Sequence, residues 1–161
     1  MTIRYAVPDD VPALSAVEAE CFPPAEAATA AEFAERVAHY GNHFWLMYDG
    51  DKLISFVDGF VTDDADLTDE MYESAAMHNE NGAWQMIFGV NTLPAYHRHG
   101  YAGELLQKAI ADAKEQDRKG LVLTCKDRLV PYYAKFGFVD EGVTDKSTHG
   151  NVAWHQMRLT F

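Results

Sequence analysis

Six consecutive residues, His97-Arg98-His99-Gly100-Tyr101-Ala102, carry the clearest chemistry in this chain. An apolar run, Met86 to Val90, leads into them and an amphipathic stretch leads out. A strand that feeds a glycine-bearing turn and then a helix leaves several backbone N–H groups pointing one way and unpaired. That is a site for a phosphate or pyrophosphate. Gly100 has no Cβ, so the main chain there can approach a phosphate closely. Arg98 adds positive charge, and His97 and His99 add ring donors. The ligand this pattern predicts is a phosphorylated cofactor.

Other reactive side chains stand apart from this turn. His78, His149 and His155 can titrate near neutral pH, and each is equally readable as an exposed or satisfied residue. Asp58, between Phe56 and Phe60, either orients a cation or faces solvent. Asp63, Asp64, Asp66, Asp69, Glu70 and Glu73 form an acidic run that either rims a cation site or is a solvated loop. Cys21 and Cys125 read as structural thiols in a reducing compartment. The histidines and cysteines lack zinc-type spacing, so no metal is expected.

The elements that must position these groups follow from periodicity. Ala102, Leu105, Leu106, Ala109, Ile110 and Ala113 make one apolar helical face after the turn. Ala83 to Thr92 reads as one buried strand before it. Upstream, a strand over 2–7 precedes a helix that starts at Pro8 and is stopped by Cys21-Phe22-Pro23-Pro24. Thr29 with Glu32 forms a capping-box pattern for a second helix through about residue 40. A hairpin over 43–61 turns at Asp49-Gly50-Asp51. A short helix over 68–78 and a loop over 79–82 follow. Downstream come a strand over 121–123, a short helix over 129–135 ended by Phe136-Gly137, and two closing strands over 138–143 and 152–160. This mixed order predicts an α+β protein.

The chain's 161 residues suit one domain, with 48% hydrophobic and 24% charged residues. No apolar run nears the roughly 20 residues that span a bilayer. No basic-then-apolar segment opens the chain, which predicts a cytoplasmic protein. A formal charge of −12 disfavours nucleic acid and anionic membranes as partners and favours cationic ones.

Three segments together resemble the GNAT N-acetyltransferases. His97 to Ala102 resembles that family's Gln/Arg-x-x-Gly-x-Gly/Ala loop, with His97 where Gln or Arg is usual. Leu129 to Phe138 resembles its tyrosine-bearing helix and following strand, and Cys21 to Thr29 a loop of the arylalkylamine N-acetyltransferase branch. The resemblance implies a GNAT domain over residues 1–161, with a mixed, mostly antiparallel central sheet flanked by helices. It implies acetyl-CoA as co-substrate. Its pyrophosphate would be held at His97, Arg98, His99, Gly100, Tyr101 and Ala102, and its pantetheine along Val90, Asn91 and Thr92. The N–H of Val90 would stabilise the oxyanion, a contribution of about 3 kcal/mol where such donors are preorganised. Lys126, just after the strand over 121–123, either caps the next helix or touches a CoA phosphate.

The same resemblance implies Tyr133 as the acid that protonates the leaving thiolate, with Tyr132 as competitor. Vertebrate-type arylalkylamine enzymes carry two histidines where this chain has Met86 and Phe88, which cannot move protons. Glu26 is the replacement base: Phe22, Pro23 and Pro24 beside it would raise its proton affinity by desolvation. The alternative reading of Glu26 is a helix-entry charge. The function implied is acetyl transfer to a primary amine by direct attack in a ternary complex, with a small cationic amine as acceptor. A protein or peptide amine is the alternative acceptor, and a non-catalytic acyl-CoA sensor the alternative class. Monomer and homodimer are both left open.

Overall fold

In the computed structural model of the chain, which describes residues 1–147 and 152–161, the elements run in the order β1 (Thr2–Tyr5), α1 (Val11–Cys21), α2 (Ala30–Tyr40), β2 (Phe44–Asp49), β3 (Lys52–Asp58), β4 (Val61–Thr62), α3 (Asp69–Glu73), β5 (Trp84–Ile87), β6 (Gly89–Thr92), α4 (Tyr101–Glu115), β7 (Gly120–Cys125), α5 (Val130–Ala134), β8 (Val139–Val143) and β9 (His155–Thr160). They divide into two compact units, one of residues 1–59 and 89–109, the other of residues 60–88 and 110–161. Neither is a continuous segment of chain, and α4 runs from the first into the second.

In the first unit an antiparallel sheet of order β1-β2-β3-β6 carries α1 and α2. The helices form where the sequence predicts them. Thr29 caps α2 in both senses: its hydroxyl accepts from the Glu32 N–H, and the Glu32 carboxylate accepts from the Thr29 N–H. Phe33, Val37 and Tyr40 then fall on one buried face, and Phe33 meets Phe44 and Phe56 edge-on. Such edge contacts add to the burial of the rings themselves.

In the second unit a sheet of order β4-β5-β7-β9-β8 pairs antiparallel throughout except for the parallel β5–β7 pair. Phe60, Leu67, Met71, Met86, Val122 and Met157 are fully or almost fully buried in it. No helix of the described residues is long and apolar enough to cross a membrane.

The strand expected over 83–92 is two strands, β5 and β6, broken at Phe88 and belonging to different sheets. The cause is local. Gly89 adds no side chain to a ladder, and a glycine inside a strand pattern marks such breaks. Phe88 turns its ring onto Phe60 and Tyr72, with centroids 5.0 and 4.8 Å away. The second strand of the predicted hairpin likewise ends at Asp58 rather than at Val61. The helix expected over 68–78 is α3 followed by a separate 3-10 turn, Ala75–Met77.

Candidate functional site

The turn between β6 and α4 folds as the glycine pattern requires. A 3-10 turn, Pro94–Tyr96, follows β6, and the chain then passes through two left-handed residues, Arg98 (φ 66°) and Gly100 (φ 77°), before α4 starts. Among the described residues, the N–H groups of residues 98–102 make no backbone hydrogen bond outside the helix. Those of Tyr101 and Ala102 stand in the first turn of α4, where no intrahelical acceptor exists. Left-handed residues in such a turn aim successive N–H groups into one concavity, which is how main chain binds anions. Arg98, His99 and Gly100 are exposed. The His99 and Tyr101 rings stack, with centroids 5.4 Å apart. The His97 ring turns back to the Thr92 carbonyl at 2.8 Å. A carbonyl only accepts, so Nε2 carries the ring hydrogen.

β6 is an edge of its sheet, paired with β3 on one side alone. Main-chain groups alternate sides along a strand. Leu93 N–H donates to the Ile54 carbonyl at 2.9 Å, and the Asn91 carbonyl accepts from the Ser55 hydroxyl at 2.7 Å. Residues 91 and 93 therefore face β3, and the N–H and C=O of Val90 and Thr92 face the other way. The Thr92 carbonyl accordingly accepts from His97 and, at 3.3 Å, from the Cys21 thiol. The Val90 amide thus points off the sheet edge. Asn91 is turned the other way, and its buried side chain donates to Glu18 Oε1 at 2.8 Å.

Glu18 connects this strand to the loop after α1, because its Oε2 accepts from the Ala28 N–H at 2.8 Å. Glu26 is half-buried in that loop, and its own N–H closes a turn onto the Pro23 carbonyl. Beside Glu18 lie Arg36 and Asp58, both buried, with Nη1 3.3 Å from Oδ2. Burial pushes the Asp58 carboxyl up to about 7, a rise that Arg36 opposes and Glu18 reinforces. Asp58 therefore does not face solvent. Glu18, Arg36 and the Asn91 side chain form a polar group that the sequence reading missed. Its signal was present: Glu18 and Arg36 occupy the apolar stripes Leu14-Val17 and Phe33-Val37-Tyr40 at helical spacing. A charge on a core face calls for a partner.

The second unit holds Tyr133 and Lys126. Tyr133 is buried on α5, edge-on to Tyr132 at 5.1 Å and to Phe138 at 6.2 Å. Its hydroxyl makes no hydrogen bond among the described residues. Desolvation, reinforced by Cys125, Tyr132 and Tyr72, raises its proton affinity far above that of a free phenol, so it stays protonated. The Lys126 ammonium lies over the Trp154 ring, 6.0 Å from its centroid. His78 Nδ1 accepts from the Val61 N–H at 3.1 Å, which leaves Nε2 to donate to Glu80 at 3.0 Å. His155 faces Asp140 with Nδ1 and Asp127 with Nε2. His149 lies outside the described residues. Part of the acidic run has structural duties. Asp63 accepts from the Ala83 N–H, and Asp66 accepts from Lys146, Gln156 and Arg158. Both cysteines are free thiols held protonated by burial, Cys21 up to about 11 and Cys125 up to about 12.

A run of main-chain N–H groups at a helix start thus follows a strand with an outward amide. The sequence matches the acetyltransferase (GNAT) family over residues 11–138, and the chain belongs to that family. Solved structures share its fold. The GphF GNAT-like decarboxylase in complex with isobutyryl-CoA superposes with a TM-score of 0.85 at 20% identity, over 99% of each chain. The ribosomal-protein-S18-alanine N-acetyltransferase from Escherichia coli gives 0.72 at 17% identity, over 99% of this chain and 92% of its own. A GNAT family acetyltransferase from Brucella melitensis in complex with acetyl-CoA gives 0.62 at 18%, over 99% and 87%. The expected fold class and the expected acetyltransferase family therefore hold.

Proposed function

We propose that residues 1–161 act as one domain that transfers an acetyl group from acetyl-CoA to a small cationic primary amine. The observation that carries this reading is the run of uncommitted N–H groups at residues 98–102 following a strand whose Val90 amide points off the sheet edge. Arg98 to Ala102 hold the pyrophosphate, and the outward groups of Val90 and Thr92 hold the pantetheine. His97 acts by fixing the turn. The small amine is supported by the charge of −12 and by the arylalkylamine-like loop at Cys21 to Thr29.

In the reaction a new C–N bond forms at the thioester carbonyl and the C–S bond breaks. The Val90 N–H donates to the oxyanion as charge develops. Glu26 takes the proton that the attacking amine loses. Tyr133, protonated at neutral pH, gives its proton to the departing sulfur. Neither Met86, which is buried, nor Phe88, which packs on Phe60 and Tyr72, moves a proton.

The test is CoA-thiol release from acetyl-CoA with a panel of arylalkylamines, polyamines, amino acids and peptides. Saturable release with a small amine is expected. Release with peptides alone would move the acceptor to a protein amine, and tight acetyl-CoA binding without release under any condition would make the chain a sensor. Glu26→Gln is expected to remove the acid limb of the pH–rate profile, and an unaltered profile would displace Glu26 from its role.

A further inference from the structure

The first unit buries more negative than positive charge beneath β6. The carboxylates of Glu18 and Asp58 face one guanidinium, Arg36, and all three side chains are at least nine-tenths buried. Tyr40, the other titratable group near Asp58 on α2, is held neutral by burial. β2 places apolar Phe44 opposite Asp58, and β6 places Gly89 there. Two buried carboxylates against one cation form a state that a proton relieves, because an uncompensated buried charge is costly and takes up a proton instead.

Geometry decides which carboxylate takes it. Both oxygens of Glu18 already accept hydrogen bonds, from Asn91 Nδ2 and from the Ala28 N–H. Those bonds favour the charged form. Asp58 uses Oδ2 toward Arg36, while its Oδ1 lies against the α-carbon of Gly89, 2.9 Å from where a Cβ would stand. A Cβ there would crowd that oxygen. Both ends of the Asn91 amide lie near the same point, Nδ2 at 3.5 Å and Oδ1 at 3.6 Å. This Oδ1 is a buried acceptor with no hydrogen-bond partner among the described residues. The Glu18 carboxylate fixes its identity, since it needs the NH2 side of the amide. An oxygen able to carry a hydrogen and an acceptor lacking one therefore stand over one glycine, next in the chain to Val90.

We propose that Asp58 is a positioning residue for acyl transfer, holding a proton that it donates to Asn91 Oδ1, and that this neutral bridge across Gly89 fixes where the Val90 amide points. The proposal rests on the reading of Val90 as the oxyanion donor. Loss of the proton leaves net negative charge beneath the amide and sets a carboxylate oxygen against the Asn91 carbonyl oxygen, so the strand end shifts. The elevated proton affinity of Asp58 agrees with this arrangement.

The test is NMR on the full chain, labelled at the aspartate carboxyl carbons and backbone amides, titrated through neutrality. The Asp58 carboxyl is assigned by its absence from Asp58→Asn, or through backbone-connected spectra of the wild type should that variant not fold. The expected Asp58 midpoint is about 7, with the Val90 amide resonance moving at the same midpoint in wild type and staying constant in Asp58→Asn. Asn91→Ala removes the acceptor and is expected to lower the midpoint by about half to one pH unit, the worth of one hydrogen bond. An Asp58 midpoint at or below about 5, or a Val90 resonance indifferent to it, would overturn the proposal. These readouts need no acetyl transfer, so they fail separately from the proposed activity.

Discussion

The His97 ring and the Thr92 carbonyl are joined by a 2.8 Å hydrogen bond that closes the chain between the end of β6 and the turn before α4. The bond holds the four intervening residues in shape without using the N–H groups of residues 98–102. His97 therefore shapes the turn itself.

His97→Ala is expected to weaken acetyl-CoA binding by about 3- to 10-fold, the range of one net hydrogen bond, and to leave kcat at saturation nearly unchanged. Calorimetric titration with acetyl-CoA checks the first, steady-state kinetics the second. His97→Gln, whose amide can donate to the same carbonyl, is expected to recover most of the affinity.

Gly100 has φ of 77° and open space where a Cβ would stand. Gly100→Ala is therefore expected to cost only about 1 kcal/mol of stability, the price of the left-handed backbone. The added methyl would face the space proposed for the pyrophosphate, so affinity for CoA is expected to fall by more than about tenfold, well beyond that strain. Urea unfolding and CoA titration measured side by side separate the two effects.

Tyr133→Phe keeps the ring contacts with Tyr132 and Phe138 and deletes one hydroxyl that has no partner among the described residues. Folding stability is expected to be unchanged or slightly raised, because no hydrogen bond is lost. The rate of thioester cleavage is expected to fall by about 100-fold or more if that hydroxyl is the acid. Single-turnover CoA release measures it. An equal loss in Tyr132→Phe with Tyr133→Phe intact would exchange their roles.

Local signals made most of the fold legible in the sequence. The Thr29–Glu32 capping box, the apolar stripe of α4 and the strand–glycine–helix order each rest on contacts within a few residues, and each is found. The break at Phe88 was not legible from the apolar run alone, because Gly89 yields to a close approach by Asp58, 31 positions away in sequence. The same distance hid the buried group of Glu18, Arg36, Asp58 and Asn91, whose members come from four separate elements. Resemblance singled out Tyr133 as a candidate, and it carried no information about what lies beneath β6.

Asp10 shows a stability effect of ordinary sign. Desolvation raises its pKa, but hydrogen bonds from Arg4, the Val7 N–H and Tyr48 outweigh this and bring it down to about 2. A depressed carboxyl contributes stability above its unfolded value, near 4, and loses it as pH falls through about 2. Asp10→Asn is expected to cost about 1–2 kcal/mol at pH 7, with exposed Arg4 contributing little of it. The difference from wild type shrinks below about pH 4, as urea unfolding at several pH values will read.

Asp58 has the opposite sign. Its folded pKa is raised by desolvation, against the pull of Arg36, to about 7. Between its unfolded value near 4 and that point the folded protein holds a proton that the unfolded chain releases. Its contribution is fully present below about pH 4 and is lost as pH rises through about 7. Asp58→Asn cannot ionise, so its stability relative to wild type is expected to climb by a few kcal/mol from pH 4 to pH 8 and then level off. The same measurement on Glu18→Gln distinguishes the two carboxylates. Glu18 is the anion of the pair, so its removal takes away the repulsion that lifts Asp58, and the climb should become smaller. A full climb in Glu18→Gln with a smaller one in Asp58→Asn would place the proton on Glu18 instead.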